Sequence, residues 1–130
     1  MPRVSAAFFA TGVVCVLLGM LWGMHMGSTN DFSLAPAHAH LNLVGWVTMA
    51  LYGTFYALTR GTLSIVLAWT NYVLSLAGGL IMIPSLTLFL STNNSKLIPV
   101  MIVGEVLTVL GMLVFAISVF RELVRRRPSD

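Results

Sequence analysis

Charge is nearly missing from this sequence. Only 8% of its 130 residues are Asp, Glu, Lys or Arg, where a soluble domain carries about 25%. A folded surface cannot be solvated by so few ions, so a water-soluble globular domain is excluded. Cysteine is almost absent too. The one thiol, Cys15, can form no intrachain disulfide, and its place in the middle of an apolar run suits a small apolar residue. Acidic residues number four against seven basic ones. The excess lies mostly in Arg121, Arg125, Arg126 and Arg127, so it reads as a topology signal and no nucleic-acid partner is expected. Histidine occurs three times, as His25, His38 and His40.

What is present is apolar length. Between the scattered charges run four stretches long enough for the ~20 residues that cross a bilayer. They predict an all-α membrane protein, a four-helix transmembrane bundle with up-down topology, with spans near 5–26, 38–59, 63–89 and 97–120 and a basic tail at 121–130. Loops of about 11, 3 and 7 residues remain, and such short loops make neighbouring helices antiparallel. Arg3, Arg60 and the C-terminal arginines fall on one side, Asp31 and Lys96 on the other. The basic side is expected to be cytoplasmic, with both termini inside, in a bacterial inner membrane. A basic start at Arg3 and the string Ala35-Pro36-Ala37 resemble a cleavable leader. However, the apolar run is too long for one, and the candidate cleavage site lies about ten residues past its end.

The stretch Ala37-His38-Ala39-His40-Leu41-Asn42 opens the second run, and His25 closes the first. All three histidines therefore collect at one, outward face, where imidazoles point to heme or metal ligation. At about 100° per residue, His38, Asn42, Gly45 and Met49 share a stripe, while His40 points elsewhere. One ion held by both histidines would need a backbone not yet helical at His38, which Pro36 leaves open. Met20, Met24 and Met26 flank His25, and thioether with imidazole suits Cu(I). Glu105 is the one charge well inside a span, about 12 Å deep at 1.5 Å per residue. It is read either as a carboxyl working near a histidine-bound cofactor or as a neutral acid joining helices. Asn71 is expected to be interhelical glue, and the spacing of Gly19, Gly23 and Gly27 a close-packing face that also leaves room for a flat ring. Gly78, Gly79 and Pro84 are expected to bend the third span.

Pro36-Ala37-His38-Ala39, followed by an apolar, glycine-containing helix, resembles the second helix of subunit I in heme–copper oxidases. The longer string from His38 to Trp46 is similar to small four-helix bacterial membrane proteins described as oxidase subunit I-like. The resemblance implies heme b, with His38 at the low-spin ligand position and His40 the nearby alternative. His25, His40 or another protomer would supply the second axial ligand. The chain has no later histidine pair for the oxidase copper and no basic pair for the heme propionates. Oxygen reduction by this chain alone is therefore not expected.

The resulting expectation is a cytochrome b-like homo-oligomer in the lipid bilayer, serving electron transfer or diatomic gas binding. A respiratory electron carrier or oxidase subunits would be its partners. The alternatives are an accessory protein binding copper or zinc through His25, His38, His40 and Glu105 without heme, and a cofactor-free subunit of a larger oxidase.

Overall fold

The computed structural model describes residues 1–125. The described chain is all-helical, and four of its helices are long and apolar enough to cross a membrane. We label them α1 (Arg3–Thr29), α2 (Ala35–Leu58), α3 (Ile65–Thr92) and α4 (Ile98–Val124), the last preceded by a 3₁₀ turn at Ser95–Leu97. Arg126 and Arg127 of the expected basic tail lie outside the described residues, and Arg121 is still part of α4.

The end of α1, the start of α2 and the end of α3 run past their expected bounds, so the connections at 30–34 and 93–94 are shorter than expected, whereas the one at 59–64 is longer. Hydroxyls explain two of the extensions. Ser28 and Thr29 donate to the His25 carbonyl at 2.9 Å, and Ser91 and Thr92 donate to the carbonyls of Thr87 and Leu88 at 2.7 Å. Carbonyls satisfied in this way let the polar end of the helix persist. α1 and α3 then stop at Asn30 and Asn93, both left-handed at φ 50° and 51°. Asparagine is the residue after glycine that best tolerates this cap. α2 begins at Ala35, three residues earlier than expected, with Pro36 in its first turn. A proline there gives up no helical hydrogen bond.

One layer of aromatic side chains ties the four helices together near the chain termini. Phe8 of α1 lies 5.5 Å from Tyr52, 5.8 Å from Tyr56 and 5.1 Å from Tyr72, centroid to centroid. Tyr52 in turn packs on Phe115 of α4 at 4.5 Å. These contacts place the start of α1 and α3 beside the end of α2 and α4, the up-down order expected from the short loops. Asn71 is fully buried in this layer, as the glue reading required. Its Nδ2 donates to the Tyr56 hydroxyl at 3.2 Å, and its Oδ1 accepts from Ser75 at 3.0 Å.

α4 rests almost wholly on α3. A Cβ added to Gly78 would lie 2.7 Å from the Thr108 nitrogen, and one added to Gly104 would lie 2.5 Å from the Met82 nitrogen. Gly78 thus serves close approach, and α3 runs unbroken through Gly78, Gly79 and Pro84. Away from the aromatic layer, α1 and α3 diverge over α2. They leave an apolar groove of about 1040 Å³ that includes Cys15, Trp22, Gly45, Met49 and Pro84 in its walls.

Candidate functional site

α2 carries the histidines and is not a regular helix throughout. Leu43–Thr48 is wound as a π-helix, and the Thr48 hydroxyl donates to the Leu43 carbonyl five residues back at 2.8 Å. Such wide turns are frequent at functional sites. The turn begins directly after Asn42, so it follows the His38–Asn42 pair.

His38 points into the seam between α1 and α2. A Cβ on Gly23 would lie 3.2 Å from its Cε1, and a Cβ on Gly19 would lie 2.7 Å from the Asn42 Nδ2. The small-residue face of α1 is therefore occupied by the His38 imidazole and the Asn42 carboxamide. Gly27, the third step, meets nothing within 4 Å. Trp22 packs edge-on against His38, with centroids 6.0 Å apart. The Asn42 Nδ2 donates to the His38 carbonyl at 2.9 Å, and the same nitrogen is 3.3 Å from His38 Nε2. A carbonyl only accepts, so the amide orientation is fixed, and Nε2 must accept from it. The ring proton then sits on Nδ1, which is buried with no hydrogen-bond partner among the described residues. Neither nitrogen of His38 is open to a ligand in this conformation.

His40 is the opposite case. It is exposed, and its Nδ1 lies 2.7 Å from the Pro36 carbonyl oxygen. That bond requires a proton on Nδ1 and leaves Nε2 as a bare lone pair directed away from the helix. A ring nitrogen donating to a backbone carbonyl, with the other left free, is the usual arrangement of a metal-ligating histidine. Because residues 35–42 are all helical, His38 and His40 diverge. The expectation that an irregular start might let both hold one ion is corrected by the early start of α2.

The remaining candidates do not join them. His25 is exposed near the end of α1. Asp31, beyond it, accepts the Ser33 backbone N–H at 3.0 Å, which holds its carboxyl below the usual range, and the nearby His25 pulls the same way. Glu105 faces outward from α4 rather than into the bundle. Among the described residues, no three His, Cys, Asp or Glu side chains converge to hold a metal ion. This geometry does not assemble the expected set of His25, His38, His40 and Glu105.

Sequence reasoning missed the π-helical turn and the groove. Gly45 within the turn was the available signal: a Cβ there would lie 2.8 Å from the Cys15 Sγ. Comparisons with family models, curated proteins and solved structures gave no match to this chain.

Proposed function

We propose that this chain is an integral membrane heme protein of the cytochrome b type, that His40 is its single axial ligand, and that it binds a diatomic gas. Four helices of spanning length support membrane insertion. Arg3, Arg60 and Arg121 at the aromatic end support an inward placing of both termini. His40 then sits at the outer edge of the bilayer.

The observation that carries the reading is the 2.7 Å contact from His40 Nδ1 to the Pro36 carbonyl. It sets the tautomer and the ring orientation before any ligand arrives, so little ordering cost remains. Leu43 and Val47, 60% and 42% exposed on the following turns of α2, offer an apolar wall for a macrocycle. His40 lies within two turns of the start of α2. Carboxylate side groups of the cofactor there reach the headgroup layer and water, so paired arginines are not required, and Lys96 is the one basic chain at that end. Heme bound there would be held by His40 and would supply an iron able to take a small gas. Electron transfer through a six-coordinate iron needs a second axial ligand, an imidazole or a thioether. His38 is tied to Asn42, and His25 is on a different helix, at the edge of the bundle.

The test is the visible spectrum of protein purified from heme-supplied cells, compared with its His38→Ala and His40→Ala variants. A Soret band present in the first two and lost in the third supports the assignment. A band lost only with His38 would return the ligand to the position implied by the oxidase resemblance. Absence of a band in all three rejects heme.

A further inference from the structure

Glu105 is a carboxyl without a partner in an apolar setting. It lies about 10 Å along α4 from Ile98 at 1.5 Å per residue. It is exposed on the surface of the chain and forms no hydrogen bond or ion pair with another described residue; the hydroxyl nearest in sequence, Thr108, is committed to the Gly104 carbonyl at 2.9 Å. Around it the helix surface is aliphatic, with Ile102, Val106 and Val109 all at least half exposed. α4 is also the least covered helix: 11% of its most apolar stretch is buried, against 22–28% in the others. A carboxyl at that depth facing hydrocarbon is costly, and interhelical hydrogen bonding relieves the cost.

We propose that two copies of the chain pack through the outward faces of α4, with the two Glu105 carboxyls hydrogen-bonded to each other across a two-fold axis. Among the described residues no lysine or arginine lies at the depth of Glu105; Arg3, Lys96, Arg121 and Arg125 are at helix ends and Arg60 is in the 59–64 connection. A symmetry axis along the membrane normal keeps depth, so when the two α4 faces meet across it, Glu105 is faced at its own level by the Glu105 of the second copy. An isologous contact needs a self-complementary patch. Two neutral carboxyls provide it: the O–H of each donates to the carbonyl oxygen of the other, which leaves no charge facing hydrocarbon. The flat β-branched surface on either side allows the helices to approach. This proposal stands apart from the heme reading and involves a different helix.

Crosslinking of the full chain in phosphatidylcholine vesicles tests it. In a Cys15→Ala background, Ile102→Cys and Val109→Cys should each give dimers with a short bismaleimide. Leu21→Cys, exposed on α1, should not. Adding Glu105→Gln should leave the yield within about twofold, because two amides still bond to each other. Glu105→Lys should lower it at least tenfold when alone, and mixing that variant with the parent should restore a mixed dimer through a lysine–glutamate pair. Monomers at positions 102 and 109 overturn the proposal, as does a yield equal to that at 21. Glu105→Lys crosslinking as well as the parent, or failing both alone and in the mixture, contradicts the carboxyl pairing.

Discussion

Asn42 donates to the carbonyl of His38 and so turns the same amide nitrogen toward that residue's Nε2. Two residues on, Pro36 accepts from His40 and leaves its Nε2 bare. The neighbours of each ring, rather than its position in the sequence, separate the two histidines. Since His40 is exposed, a ligand lost from it can be replaced from solution. In His40→Gly protein, millimolar imidazole should restore the Soret band, and it should do nothing for a variant whose ligand site has collapsed. The glycine steps of α1 give a second test. Gly19→Leu drives a side chain into the Asn42 carboxamide, and overpacking of that kind costs about 1–3 kcal/mol. Gly27→Leu meets open space and should stay within about 0.5 kcal/mol of the parent. Unfolding in mixed micelles measures both.

Charge gaps located all four helices, because ions mark where a span cannot continue. The same gaps misjudged the ends, because serine and threonine hydroxyls near Asn30 and Asn93 satisfy carbonyls and prolong the helices. A hydrophobic period does not register one widened turn, so Gly45 was the one sequence mark of the π-helical turn of α2. The outward facing of Glu105 was legible in principle. Gly104 and Gly111 mark the face of α4 that meets α3, and the residue beside Gly104 is about 100° away from it. Within the aromatic layer, Asn71 joins α3 to α2 through Tyr56. Asn71→Leu and Tyr56→Phe should each cost about 0.6–1.7 kcal/mol, the range of interhelical hydrogen bonds in membranes. The double variant should cost less than the sum of the two, since both delete the same bond. A strictly additive pair would mean that the bond contributes nothing.

The whole molecule is closed at one end by aromatic packing and opens toward the other, where α1 and α3 part above α2. The basic residues predict which end faces in. Reporters inserted at 30–34 and 93–94 should read as external and one at 59–64 as cytoplasmic; a cytoplasmic signal at 30–34 would move His40 to the inner face. The claim that joins residue, helix and bundle is a heme iron held by one imidazole with its other axial position open. The most direct measurement is a carbon monoxide difference spectrum of the dithionite-reduced protein. Adding the gas should shift the Soret band of the parent and of His38→Ala and give no such signal in His40→Ala. A Soret band indifferent to carbon monoxide, or a shift that survives in His40→Ala, would contradict that claim.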